Sequence, residues 1–284
     1  MKFLDYLRMI LTGLVSGAAR MLPVSDSAHA ILLSRLFGNT ALYTDRFLML
    51  CYAAAGLGSA FALAFTFFNK LNVFSQYKTD DQKRNTQDLV RKMLLSSVPF
   101  TVIAAVFELL LPNVTEKVFL SPFTAAALLI LYGVFLLIAE RKLKKKEPEV
   151  LRLSELPVRT VLFIGLFEVL AYFAGAGPVE TVLIGALLLS SSRYVAAEFS
   201  YYASIPAALM LAVFRAARYF LIDAGTLNGP KVFSLLMAFI GAAVVTFALA
   251  RTFLHMLKRR SVSGFAVYRI ILGVGAIVIA AVTG

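Results

Sequence analysis

The stretch Gly13–His29, GLVSGAARMLPVSDSAH, decides how the rest of the chain is read. It is too interrupted for a clean membrane span. Gly13, Gly17 and Pro23 punctuate it, Arg20 sits inside it, and Ser25, Asp26, Ser27 and His29 crowd its end. Both flanks are mostly apolar, from Phe3 to Leu11 and from Ile31 to Phe37. Irregular polar backbone at membrane depth is tolerated only where it is buried in protein or lines a cavity. The stretch therefore reads as a re-entrant segment that ends at a site.

Composition supports a membrane setting. Of 284 residues, 60% are hydrophobic, and the mean hydropathy is +0.82. Soluble domains carry about 45–50% apolar residues. Several stretches reach the roughly 18 apolar residues that suggest a spanning helix. The net charge of +12 is that of basic loops on the cytoplasmic side, and it suits anionic lipid headgroups. No soluble basic face with interleaved aromatics is present to bind nucleic acid. The single cysteine, Cys51, excludes an intrachain disulfide and a thiolate metal cage; it reads as small core filler. The N-terminus resembles a signal peptide superficially, but Asp5, Arg8 and Arg20 argue against cleavage.

Along the chain, Ala30–Phe37 reads as a half-length helix and Asn39–Arg46 as a connector. Full spans are expected at Phe47–Phe68, Met93–Pro112, Val118–Ala139, Ala196–Ala217, Val232–Leu254 and Phe265–Thr283. A second interrupted segment, Val161–Leu189, is broken by Gly175, Gly177 and Pro178 and contains Glu168 and Glu180. Basic runs at Arg141–Lys146 and Lys258–Arg260 place those loops in the cytoplasm, and Asn69–Lys92 follows them there. Both termini then lie outside.

The expected fold is an all-α polytopic membrane protein of two inverted repeats, each a re-entrant helix pair plus three transmembrane spans. Residues 1–139 form the first repeat, 140–159 a basic cytoplasmic linker and 160–284 the second repeat, all in one membrane domain. The two broken segments align as Gly13 with Gly165, Ser16 with Glu168 and Arg20 with Tyr172. Paired interrupted segments in two halves point to a midplane site at the repeat interface.

Gly13, Gly17, Leu22, Pro23, Val24, Ser25 and His29 resemble the first loop of the undecaprenyl-diphosphate phosphatase family, the bacitracin-resistance type. Ser192, Arg193, Ala197, Glu198, Phe199, Ser200, Ile205 and Pro206 match its second half, and Gly264, Phe265, Tyr268 and Arg269 match near the end. The resemblance implies an enzyme of the bacterial inner membrane that removes one phosphate from a C55 polyprenyl diphosphate and regenerates the monophosphate carrier of cell-wall synthesis. It also implies magnesium or calcium as cofactor, a membrane lipid as partner and a possible homodimer.

The chain departs from the family at its chemistry. Two glutamates four apart, which suit a divalent metal held against a diphosphate, are Ser16 and Arg20 here. The family's Ser and Thr after Pro-Val-Ser are Asp26 and Ser27. Its second loop, Pro-Gly-x-Ser-Arg-Ser-Gly-x-Thr, is Ala174-Gly175-Ala176-Gly177-Pro178-Val179-Glu180-Thr181-Val182. With the paired glutamates missing, the sequence assigns no metal ligands.

The remaining candidates have two readings each. His29 could be a general acid, base or transient nucleophile, or a hydrogen-bonded buried histidine. Ser25 could bind phosphate or cap the half-helix that starts near Ala28. Asp26 could orient His29 or act as a second cap. Ser27, Arg20, Gly175, Gly177 and Arg193 are candidates for contact with substrate. A charge near the membrane interior costs about 2.5–3.5 kcal/mol or more unless paired, so Arg20 is expected to pair with Glu168 or Glu180 across the repeats, or to reach water at its helix end. Arg193 and Glu198 are expected to tether the second loop. Three functions remain open: a phosphatase with a rebuilt site, a silent relative that binds or flips a polyprenyl phosphate, and a small-molecule transporter. The last lacks evident ion-coupling residues.

Overall fold

The computed structural model describes residues 3–30, 45–111, 114–115, 121–173 and 175–283. The half-helix read at Ala30–Phe37 and most of the Asn39–Arg46 connector lie outside them.

The described residues are helical almost throughout. The first re-entrant segment is α1 (Phe3–Arg20), a turn at 21–24, and a helix α2 that begins at 26. The irregular backbone is shorter than the sequence suggested, because Gly13 and Gly17 lie inside α1. They are there for close packing. A side chain at either would run into the backbone of Ala238 or Ala242. The first half continues with α3 (Asp45–Thr66), the single turn α4 (Phe68–Leu71), α5 (Asp80–Ala105) and α6 (Pro122–Lys145).

Helix α5 begins well before the apolar run at Met93. Thr79 accepts from the Gln82 amide and Gln82 returns a bond to the Thr79 amide, a reciprocal cap that starts a helix in polar sequence. Pro99 lies inside α5, and its last turn, Val106–Leu110, is π-helical.

The second interrupted segment is α7 (Val158–Val169), a 3₁₀ turn at Leu170–Tyr172 and α8 (Pro178–Leu188). Then come α9 (Arg193–Asp223), α10 (Gly229–Arg259) and α11 (Ser263–Thr283). Helices α3, α5 with its π-turn, α6, α9 and α10 are long and apolar enough to cross a membrane. Exposed Phe61, Phe65, Leu94, Val98, Phe123, Val213 and Val244 stud their outer surfaces, as lipid contact requires.

Packing runs between the halves. Helix α1 packs on α10 as α7 packs on α5, and α3 on α10 as α9 on α5. Helix α3 also meets α9, and α6 meets α11. Gly165 abuts the Ser96 backbone of α5 in the way Gly13 abuts α10.

The basic loops gather on one face. Glu140, at the end of α6, accepts from Arg193 at 3.0 and 2.5 Å, from the Val262 amide at 3.0 Å and from Ser261 at 3.1 Å. Glu198 binds Lys70, Lys258 at 3.0 Å and Tyr202 at 2.8 Å. Lys92 donates to the carbonyls of Leu153 and Ser154. The ends of α4, α6 and α10 and the starts of α5 and α9 thus lie together. Arg46 pairs with Asp223 at the other end of the bundle.

Candidate functional site

Two interrupted segments end against each other. Residue 25 is non-helical and α2 starts at 26. Ser25 takes φ of 68°, a left-handed backbone that favours glycine. Its Oγ accepts from the Ala28 amide at 3.3 Å, the capping role read from sequence. Across the gap, Gly175 has φ of 99°, and its amide donates to Ser27 Oγ at 3.2 Å. A side chain at Gly175 would meet the Ala125 carbonyl, so both backbone angle and space require glycine.

Arg269 of α11 joins the loops. It is 0% exposed and pairs with Glu180. Its Nη2 donates to the Gly175 carbonyl at 2.7 Å and its Nη1 to the Pro23 carbonyl at 3.4 Å. Glu180 also accepts from the Gly177 amide at 2.6 Å, closing the first turn of α8. One guanidinium thus holds backbone from both interrupted segments and the first turn of α8.

Arg20 pairs with neither Glu168 nor Glu180, contrary to the expectation. It pairs with Asp26, six residues on. The bend between α1 and α2 brings the two together with little chain to order, whereas Glu180 is already taken by Arg269. Glu168 is 0% exposed, and among the described residues neither of its oxygens has a hydrogen-bond partner.

His29 is held on both ring nitrogens. Nδ1 lies 2.6 Å from the Ser25 carbonyl and Nε2 lies 2.7 Å from Tyr268 Oη. A carbonyl can only accept, so Nδ1 carries hydrogen and neutral Nε2 accepts from the tyrosine. Asp26 does not orient the imidazole; its Oδ1 accepts from the Ser27 amide at 2.9 Å. Arg193 and Glu198 sit at the basic face, where they join helix ends and not the second loop.

Beside the loops lies a narrow cleft with a cavity volume of about 40 Å³. Ser16, Arg20, Asp26 and Ser27 of the first segment line it, with Ala176 and Pro178 of the second and Arg215 of α9. His29 does not line it. Magnesium or calcium needs clustered oxygen ligands. Here Asp26 is engaged by Arg20, and no group of three or more His, Cys, Asp or Glu among the described residues could share an ion. Among the described residues the donor set does not fit such a metal.

Sequence reasoning passed over Arg269, Tyr268, Glu108 and Arg215 as site residues. Each is ionisable or polar inside an apolar helix, and that position is itself the signal.

The bacitracin resistance protein BacA family matches residues 9–275. The chain belongs to this family. It is 32% identical to an undecaprenyl-diphosphatase of Leuconostoc citreum, over 95% of both chains. It is 32% identical to one of Streptococcus mutans over 96% of this chain and 95% of that one. It is 31% identical to one of Lactiplantibacillus plantarum over 95% of this chain and 96% of its relative. BacA-family membership and five long apolar helices make this a multi-pass membrane protein. The matched length runs through both interrupted segments.

Proposed function

We propose that the cleft between the two interrupted segments receives the headgroup of a polyprenyl diphosphate or phosphate, the carrier lipid of bacterial cell-wall synthesis. The family and its undecaprenyl-diphosphatase relatives support the substrate class. The observation that carries the site is the meeting of both segments at Ser27, Gly175 and Arg269 beside a cleft with cationic side chains.

On the family's chemistry, water attacks the terminal phosphorus, the anhydride bond breaks, and the polyprenyl monophosphate leaves with inorganic phosphate released. Positioning and charge neutralisation dominate such a reaction. This chain offers Arg20 and Ser27 for positioning. His29 would have to release Tyr268 before Nε2 could move a proton. The Arg20–Asp26 pair favours a second reading, in which the lipid is bound or flipped without hydrolysis. By the resemblance, Arg20 of that pair stands where the family carries one of its two glutamates.

We assign residues 1–139 and 160–284 to two inverted repeats, joined by 140–159. The exchanged packing of α1 on α10 and α7 on α5 supports this, and such repeats place substrate at their interface. The gathered basic loops support a cytoplasmic face there, with both termini outside the inner membrane. Association into a homodimer belongs to the same proposal, by resemblance alone.

Phosphate release from C55 polyprenyl diphosphate by the purified protein, with and without magnesium or calcium, separates the readings. Release that disappears in His29→Ala supports a rebuilt phosphatase. No release while the lipid stays bound supports the binder or flippase.

A further inference from the structure

Glu168 of α7 is buried with nothing to bind. It is 0% exposed, and neither of its carboxyl oxygens has a hydrogen-bond partner among the described residues. The other buried glutamates described each hold a cation: Glu108 holds Arg215, Glu140 holds Arg193, Glu180 holds Arg269 and Glu198 holds Lys258. An ionised carboxylate without a partner is not tolerated in an apolar interior, so Glu168 carries its proton here.

Its place in the fold sets it beside the cleft. Glu168 shares the buried face of α7 with Val161, Ile164 and Gly165, and Gly165 abuts the Ser96 backbone and Pro99 of α5. One turn further along the same contact, Ala171 and Phe100 pack together and line the cleft. Glu168 is three residues from Ala171, roughly 5 Å of helical rise behind the cleft wall. The 3₁₀ turn Leu170–Tyr172 joins the two positions. Such turns hold poorer hydrogen bonds than α-helix and serve as hinges.

The ionisable groups on the elements packed against α7 are engaged elsewhere. On α5, Lys92 pairs with Asp88 and donates to the carbonyls of Leu153 and Ser154. The other ionisable residues of α5 lie at its polar start, from Asp80 to Arg91. Glu108, in the π-turn beyond, is bound by Arg215 and Arg218. On α8, Glu180 is bound by Arg269. Tyr172 of the 3₁₀ turn donates to Glu108, and Arg159 at the start of α7 lies over the Phe163 ring.

We propose that Glu168 is a proton-binding site coupled to headgroup binding in the cleft. While Glu168 is neutral, the cleft accepts an anionic phosphate. When the 3₁₀ turn shifts and water reaches the carboxyl, its O–H bond breaks, the proton passes to water and a carboxylate remains behind the cleft wall. Like charges repel strongly in a low-dielectric interior, so ionisation expels the phosphate and bound phosphate keeps the proton on Glu168. The coupling is reciprocal. It rests on the reading that a polyprenyl phosphate headgroup enters this cleft, and it holds whether or not the lipid is hydrolysed.

The test uses the purified full chain in lipid nanodiscs, wild type beside Glu168→Gln, which copies the neutral acid. Without lipid, infrared difference spectra at neutral pH should show the carbonyl stretch of a protonated carboxyl in wild type and not in the variant. Carboxylate bands in its place overturn the proposal. Equilibrium binding of C55 polyprenyl monophosphate is then measured from about pH 6 to about pH 10, a range that covers buried glutamates. The two proteins should bind alike at the acid end. Across the range, the Kd of wild type should rise at least about tenfold more than that of the variant, as one like-charge repulsion requires. Ionisation of the lipid phosphate itself is common to both proteins and cancels in the comparison. C55 polyprenol, with the same tail and no phosphate, should bind both alike at every pH. Should Glu168→Gln fail to fold, Glu168→Met decides in its place, since it is neutral and of similar length. Superimposed pH profiles for the phosphate, or the same divergence with the polyprenol, overturn the coupling and leave the reading of the cleft standing. If wild type binds no polyprenyl phosphate at any pH, the reading of the cleft falls and the coupling with it.

Discussion

At the scale of single residues, the site is built from strain and local pairing. Ser25 adopts a left-handed backbone that costs about 1–2 kcal/mol for a residue with a Cβ. Its side chain recovers about 1 kcal/mol by capping α2. The two effects separate by mutation. Ser25→Ala keeps the strain and loses the cap, and should lower stability by about 1 kcal/mol. Ser25→Gly relieves the strain and loses only a few tenths of the cap, so it should be neutral or stabilising by up to about 1 kcal/mol. Thermal unfolding of the two variants checks this; a glycine variant less stable than the alanine one would contradict it. The capping role of Ser25 was legible in the sequence, because a serine before a helical run has a fixed physical use. The partner of Arg20 was not. An unpaired arginine signals that an acid is near, and helix direction after the bend decides which one. That direction selected Asp26 over Glu168 and Glu180.

At the scale of elements, two buried glutamates of the second segment make opposite predictions. Glu180 caps the first turn of α8 through the Gly177 amide and neutralises Arg269, which holds the Pro23 and Gly175 carbonyls. Glu180→Gln leaves a buried guanidinium uncompensated and should cost about 3–5 kcal/mol. Glu168 makes no hydrogen bond among the described residues, so a carboxylate there has nothing to lose. Glu168→Gln should leave stability unchanged or raise it by about 1 kcal/mol. Denaturant or thermal unfolding of the pair measures the contrast, and equal losses would break the account. The sequence located both interruptions from Gly175, Gly177, Pro178 and Pro23, whereas Gly13 and Gly17, read as breaks as well, lie inside α1. It placed the start of α5 too late, because the Thr79–Gln82 cap begins a helix in residues whose hydropathy reads as a connector. It matched Arg269 to the family and gave it no role, because the bonds that define its role come from four separate elements.

At the scale of the whole molecule, packing between the halves makes the site. Neither segment alone encloses the cleft: Ser16, Arg20 and Ser27 supply one wall, and Pro178, Ala208 and Arg215 supply another. Helix α1 lies on α10 and α7 on α5, and the sequence aligned Gly13 of the one with Gly165 of the other. Both glycines serve the same close approach to a neighbouring helix. The grouping of basic loops was legible from charge alone, and Glu140 and Glu198 show why those loops stay together. The central claim is that a polyprenyl headgroup occupies the cleft these halves enclose. Ala208 lines the cleft and is 5% exposed, so Ala208→Phe would fill it from the α9 wall. The most direct measurement is equilibrium binding of C55 polyprenyl diphosphate to wild type and to Ala208→Phe, each first shown to unfold at a comparable temperature. The account predicts saturable binding to wild type and loss of at least about tenfold in affinity for the variant, the effect of overfilling a packed site. Undiminished binding by the filled variant would place the headgroup elsewhere and contradict the account.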